Sequence, residues 1–354
     1  MALNQLFCNN RFDKLPDSLA QNLVDKFSLA SDYGDASTVE DQSSDPFQES
    51  FERGISYNRA LGKYMIDIPW NDEVLEKVPD NFLVSKVLAR KVYDKLKKQN
   101  LHQNYFDDVQ EQLSDGVIEP LPQGFSPAKY KFIPHRLVIR NYPLVATTKI
   151  CSVFNCSFRT NNRPSLNDAV DHPPDLHSDL VDLFLYFRSN NYFLTADIKK
   201  AFLNIHLKSE YDMSKFSFII YHESKYYYFK FSTVLFGFVQ SPYFLHAVLK
   251  FHANCQPDVN IQNLIKQNFY VDNLLMTGNS QIEISNNSIK LYEALNSGEF
   301  HLRQWNSNVA NAAWQVASND NHTNCTDPYK LLGFVHNPST TDALRIKNVQ
   351  LDDS

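Results

Sequence analysis

Two aspartates in the chain stand where short apolar runs end. In YFLTADIKKAFLNIHL, residues 192–207, the stretch from Tyr192 to Ala196 reads as a buried strand that carries Asp197 to its C-terminal end. A carboxylate at such a place is costly unless it is paired or holds a metal ion. The competing reading is an N-cap for a helix over KKAFL. In NFYVDNLLMTG, residues 268–278, two β-type runs flank Asp272-Asn273, which predicts a hairpin with an acid at its tip. An ordinary surface turn is the alternative there. Between the two lies LFGFVQSPYFLHAVLKFH, residues 235–252, where Gly237 permits a close backbone approach. Ser241-Pro242 reads as an N-cap followed by Pro at the first helical position. The helix after it is apolar on nearly every side and should be buried. If Asp197 and Asp272 converge, their oxygens could share divalent cations. A lone general-base aspartate in an unrelated hydrolase is the rival chemistry, and no His stands in an evident partnering motif.

The elements that must position these residues form an α+β pattern. Residues 84–113 carry Val84, Val87, Leu88, Val92 and Leu96 at helical spacing and predict two helices. DGVIEPLP then breaks the helical pattern. KFIPHRLVIR and ATTKICSVFNCS, within 130–157, alternate in short β-like pieces and predict a hairpin. No repeat of 20–50 residues is visible. Residues 30–55 are polar, acidic and Ser-rich, so they read as a loosely packed connector. The predicted organisation is an acidic, partly disordered leader over 1–75, one large domain over 76–345, and a tail over 346–354.

Composition narrows the functional classes. The 354 residues are 43% hydrophobic and 21% charged, which excludes wholesale disorder. Only 9 Gly occur, and neither GxGxxG nor GxxxxGK[ST] is present, so dinucleotide and P-loop chemistry fall away. No apolar run is long enough for a membrane helix, and MALNQLFCNN lacks the pattern of a signal peptide. The 5 Cys are scattered and read as free thiols of a reducing, cytoplasmic or nuclear compartment. The net charge of −6 is unevenly spread. Residues 1–60 hold 5 Lys and Arg against 10 Asp and Glu, whereas residues 121–170 hold 7 cations against Asp168 alone. The basic stretch suggests a surface that faces a polyanion, with a solvated loop face as the plain alternative.

The order of these segments resembles the palm of reverse transcriptases: a strand-end Asp, a Gly and Ser-Pro helix unit, then an aromatic-Val-Asp hairpin. The flanking text, IPHRLVI (133–139), TKICSVFNCS (148–157), LND (166–168), FHLRQWNSN (300–308) and LLGF (331–334), resembles the BEL/Pao group of retrotransposon polymerases. The likeness runs from about residue 60 to about residue 347. It implies reverse transcriptase-like fingers and palm over 76–345, with an antiparallel palm sheet backed by helices and the thumb largely absent. It also implies RNA-directed DNA polymerase chemistry, two-metal nucleotidyl transfer of a dNTP to a primer 3′-end on an RNA or DNA template. Asp197, the Ile198 carbonyl and Asp272 match the ligands of two Mg²⁺ (or Mn²⁺) ions, with Asn273 at the third catalytic position. Phe202 matches the aromatic that crowds the sugar 2′ position. Gly237 matches the surface under the nucleotide, and Lys149 is a candidate nucleotide contact. Leu332, Gly333 and Phe334 match the hairpin that holds the primer end. No membrane association is implied.

Three positions depart from that pattern. The hairpin reads Tyr270-Val271-Asp272-Asn273 where two acids are expected, Cys151 stands where Arg is usual, and Asn155 stands where Asp is usual. Each change removes a charge. The alternative function is therefore a catalytically dead palm-fold remnant that binds nucleic acid or serves a structural role. No Asp-[Ser/Thr]-Gly protease signature is present. The chain ends at Ser354, which predicts that a complete thumb, RNase H and integrase are absent.

Overall fold

The computed structural model describes residues 46–139, 150–171, 190–309, 329–331, 334–336 and 345–346. The centre is an antiparallel four-stranded sheet in the order β10-β11-β6-β12, made of Phe269–Tyr270, Asn273–Gly278, Tyr192–Ile198 and Leu302–Ser307. Strand β6 is buried from Phe193 through Ala196, because it has sheet neighbours on both sides and helix α8 (Gln281–Asn296) packed against it. That cover explains why its sequence is a continuous apolar run. Helix α6 (Ser241–Asn254) is buried along most of its length, as its composition predicts. Its His252 donates from Nε2 to the Ala294 carbonyl of α8 at 2.7 Å, which leaves Nδ1 to accept from the Tyr64 hydroxyl, also at 2.7 Å.

A second antiparallel sheet, in the order β3-β9-β8, joins Ile118–Pro120, Lys225–Phe231 and Ser217–His222. Helix α3 (Phe82–Lys98) packs on β8, and helix α4 (His102–Ser114) follows it, so both helices expected over 84–113 are present. The hairpin expected over 130–157 is present as β4 (His135–Ile139) paired with β5 (Ile150–Phe154).

The leader boundary needs correction. Residues 46–75 belong to the core and not to a connector. Helix α1 (Pro46–Gly54) places Phe51 flat on Phe244, with ring centroids 5.0 Å apart. Strand β1 (Ser56–Asn58) pairs with β2 (Lys63–Ile66), and β2 pairs in parallel with β7 (Ile205–Leu207). The acidic composition hid an amphipathic helix, since the apolar residues of α1 are few and all lie on one side. Residues 1–45 lie outside the described set.

Ser241 is not the cap of α6. Gln240 holds that position, and the Ser241 hydroxyl donates to the Leu235 carbonyl at 2.7 Å. The helix therefore starts one residue earlier than Pro242 suggests.

Buried His135 on β4 hydrogen-bonds through Nε2 to the Tyr105 hydroxyl of α4 at 2.5 Å, and burial lowers its pKa to about 4. Unfolded His titrates near ~6.5, so the unfolded chain binds the extra proton first as pH falls. Stability should be full above about pH 6.5 and should decline by roughly 3 kcal/mol between there and about pH 4. Urea unfolding across that range checks this, and His135→Gln should flatten that part of the profile.

Candidate functional site

Three strands meet at one end of the central sheet. Asn273 of β11 stands opposite Asp197 of β6, and Arg303 of β12 stands opposite Asp197 from the other side. Directly opposed residues in antiparallel strands face the same way, so Asn273, Asp197 and Arg303 form one cross-strand row. Asp272 precedes Asn273 in the turn, and its carbonyl accepts from the Ile198 N–H at 2.8 Å. The two aspartates, 75 residues apart in sequence, therefore stand together.

The turn that presents Asp272 is strained. Val271 adopts φ 56°, a left-handed conformation that is rare for a β-branched residue. The hairpin register of Tyr270 with Asn273 leaves only Val271 and Asp272 to make the turn. On β6, Asp197 lies inside the strand, and the short 3₁₀ turn Ala201–Asn204 is preceded by Lys200, so Asp197 is not an N-cap. Lys200 anchors that turn by pairing with Glu111 at 3.2 Å and Asp115 at 2.8 Å on α4.

The electrostatics follow from burial. Asp272 is only 6% exposed. Desolvation first, and the negative charge of Asp197 second, raise its pKa to about 7. The Asp197 pKa is also raised by burial, against the opposing pull of the Arg303 guanidinium. Arg303 donates from Nε to Asp197 Oδ1 at 2.9 Å, and the Asn273 amide donates to Asp272 Oδ1 at 2.9 Å.

Asp212 shows what a structural buried carboxylate looks like in this protein. It receives Trp70 Nε1 at 2.7 Å and the Ile68 N–H at 3.3 Å, both from another part of the chain. Asp272 has hydrogen bonds only from its neighbour Asn273 and its own backbone N–H, with a smaller pull from the Arg303 charge. Its charge is thus left to be met by something else. Two carboxylates, a backbone carbonyl and an amide oxygen are hard oxygen donors, the kind that could hold Mg²⁺ together with water. Among the described residues, no group of three or more His, Cys, Asp and Glu could hold a metal ion. Asn273, next to Asp272, is an amide and adds no charge to the cluster.

Gly237 lies in the loop between β9 and α6, with φ 101°. A Cβ there would come within 2.2 Å of the Phe154 carbonyl oxygen, so only Gly lets this loop lie against the β4–β5 hairpin. Asn167 ties the same loop down: its Nδ2 donates to the Gly237 carbonyl at 3.2 Å and its Oδ1 accepts from the Val239 N–H at 3.0 Å. Phe202 is buried, with its ring centroid 4.6 Å from that of Phe236, which is half exposed in the same loop. Cys151 lies on β5, paired with Val138, and Asn155 donates its backbone N–H to the Pro134 carbonyl. Lys149, Leu332 and Gly333 lie outside the described residues. Phe334 begins a strand, Phe334–His336, that pairs with Tyr329–Leu331.

Two contributors escaped the sequence reading. Arg303 was visible only as part of FHLRQWNSN, where strand alternation sets it apart from Leu302 but cannot reveal its partner. Asn167 was visible only as the middle of LND.

No family model matches the chain, and no curated protein matches it. Solved structures similar to it include the native prototype foamy virus protease-reverse transcriptase, at 14% identity over 55% of this chain and 22% of that one, with a TM-score of 0.39. The foamy viral protease-reverse transcriptase dRH in complex with ds DNA is similar at 14% identity over 64% of this chain and 32% of that one, with a TM-score of 0.42. The foamy viral protease-reverse transcriptase in complex with an RNA/DNA hybrid gives 13% identity, 65% and 25% coverage, and a TM-score of 0.41. The chain thus spans between about a fifth and a third of the proteins it resembles.

Gly237→Ala should cost about 3 kcal/mol, because the added methyl meets a backbone carbonyl and the left-handed φ is lost. Urea denaturation with an unchanged m-value checks it. Arg303→Met should raise the Asp197 pKa further, since the guanidinium is what opposes desolvation. For this half-exposed pair the loss of stability should be about 1 kcal/mol at pH 8 and smaller at pH 5, where the carboxyls are more protonated. Chemical denaturation at the two pH values reads that difference directly.

Proposed function

We propose that this chain is the polymerase portion of an RNA-directed DNA polymerase of the BEL/Pao retrotransposon kind, transferring a nucleotidyl group from a dNTP to a primer 3′-hydroxyl with release of pyrophosphate. The observation that carries the reading is the meeting of Asp197 and Asp272 on adjoining strand ends, through the Ile198 N–H to Asp272 carbonyl bond and the Asn273–Asp197 register. The ordered motifs quoted above supply the rest of its support.

In this reading Asp197, the Ile198 carbonyl and Asp272 hold Mg²⁺ or Mn²⁺, with the Asn273 amide oxygen the only further donor toward a second ion. Bound there, divalent cations would lower the pKa of the primer hydroxyl and neutralise charge on the triphosphate. The chain's own residues do the positioning. Arg303 opposes the desolvation that raises the Asp197 pKa and so favours its ionised form. Phe202, held against Phe236, shapes the wall beside the sugar. The loop at Gly237, pinned by Asn167, lies close to the β4–β5 hairpin and offers a flat backbone surface to the base pair being formed. The β4–β5 hairpin and the basic stretch around it would be the fingers, with RNA or DNA template-primer and dNTP as partners.

A second reading, a palm-fold protein without turnover, is favoured by one specific feature. The two carboxylates are already partly satisfied within the protein, Asp197 by Arg303 and Asp272 by the Asn273 amide. Asn is neutral where a third acid would pull in cations.

Primer extension on poly(A)/oligo(dT) with Mg²⁺ or Mn²⁺ separates the two. Asn273→Asp should raise incorporation by at least tenfold over the wild type, and Asp197→Asn in that background should abolish it. Silence of both the wild type and Asn273→Asp, with folding intact, would overturn the polymerase reading.

A further inference from the structure

Helix α3 (Phe82–Lys98) has no part in the chemistry above, yet it carries the most concentrated charge among the described elements. Lys86, Arg90, Lys91, Lys95, Lys97 and Lys98 stand against the single acid Asp94, in a protein whose net charge is −6. None of the six makes an ion pair among the described residues. Elsewhere Lys200, Lys208, Lys250 and Lys290 are each paired with a carboxylate, while Lys77, Lys129, Lys199 and Lys225 are exposed and make no ion pair among the described residues; what sets α3 apart is that six cations without an ion pair share one helix.

This arrangement works against the helix itself. Lys86 with Arg90, and Lys91 with Lys95, are like charges one turn apart, each destabilising by a few tenths of a kcal/mol. The helix dipole accounts for cations in the last turn, Lys95, Lys97 and Lys98, but not for Lys86, Arg90 or Lys91. Asp94, one turn from Arg90, Lys91, Lys97 and Lys98, is a single charge among six cations and makes no ion pair with any of them.

Aromatic rings hold part of the cluster in place. The Lys86 ammonium lies 4.4 Å from the ring centroid of Tyr226, the Arg90 guanidinium 5.6 Å from that of Tyr221, and Lys97 5.9 Å from that of Tyr93. Tyr221 and Tyr226 face each other across the β8–β9 ladder with centroids 4.8 Å apart, and Lys225 at the hairpin turn extends the positive edge. Glu223 is the one acid in that turn.

We propose that this face, helix α3 with the tip of the β8–β9 hairpin, is a second nucleic-acid surface that binds the phosphate backbone of a single strand. Clustered cations neutralise phosphates whatever the base sequence, and a positively charged track along the backbone is part of how single strands are bound without sequence preference. At 1.5 Å per residue, Lys86 to Lys98 span about 18 Å. That length is enough to meet several successive phosphates of one strand. An anionic lipid surface is disfavoured because only Leu83 and Val87 are exposed apolar residues on this helix, too few to anchor it in a headgroup layer. The proposal stands apart from the Asp197–Asp272 site and does not depend on turnover there.

The test uses the full chain and a fluorescein-labelled 30-nucleotide oligo(dT) without primer or dNTP, read by anisotropy across a salt series. Lys91→Gln/Lys95→Gln/Lys98→Gln should weaken binding at least tenfold near ~0.1 M salt and reduce the slope of log K against log [salt] by roughly 2. The matching Arg triple variant should bind as the wild type does. Thermal unfolding of the Gln variant should be unchanged or higher, since self-repulsion is relieved; a purely structural role predicts the opposite. Equal affinity and slope for wild type and Gln variant would overturn the proposal, as would binding of phosphatidylserine vesicles in preference to oligo(dT). Because no polymerisation is measured, a chain silent in primer extension that still binds through this face upholds the inference. A chain that extends primers but is indifferent to these lysines sinks it alone.

Discussion

Negative charge held out of water at the end of one sheet is the constraint on which the rest of the architecture turns. Burying a carboxylate costs several kcal/mol unless something answers it. Here two of them share one place, and the charge of Asp197 adds to the reluctance of Asp272 to ionise. The protein answers with three strands. Strand β6 carries Asp197, β12 brings Arg303 to one side, and β11 brings Asn273 to the other. The answer is partial. One carboxylate has a cation, the second has an amide, and the site retains a net negative charge that only an incoming cation or a proton can remove. That leftover charge distinguishes the cluster from Asp212, which is buried just as deeply but is satisfied by fixed N–H donors from Trp70 and Ile68.

Precision at such a site depends on what cannot move. The loop bearing Gly237 passes so close to the Phe154 carbonyl that no side chain fits, and Asn167 bonds to it at two points. Lys200 fastens the turn after Asp197 to α4 through two carboxylates. Val271 holds a left-handed backbone that a β-branched side chain resists. Strain of this sort persists only where surrounding pairings over-determine it, and here the β10–β11 register and the Ile198–Asp272 hydrogen bond do so.

Charge is handled in opposite ways at two places in the molecule. Around the carboxylates, opposite charges are brought together and counted closely. On α3, like charges are gathered around a single acid without forming an ion pair, and aromatic rings lie beside some of them. The first arrangement favours a small, strongly hydrated cation, and the second favours an extended polyanion.

Much of the local structure was legible from residue order alone. The helices α3 and α4, the β4–β5 hairpin, the buried run of β6 and the Asp-bearing turn follow from periodicity and turn chemistry, which are properties of neighbouring residues. The misreadings have the same origin. Residues 46–75 look like a connector because their few apolar residues gain meaning only against α6 and β7, and Ser241 looks like a cap until the Leu235 carbonyl is seen to claim its hydroxyl. Residue order sets which groups are present: two strand-end acids, an Asn after the second, and a helix crowded with lysine. Their company is a matter of packing, because strand order and register set which side chains share a face. No local pattern places Arg303 beside Asp197, 106 residues away in the chain.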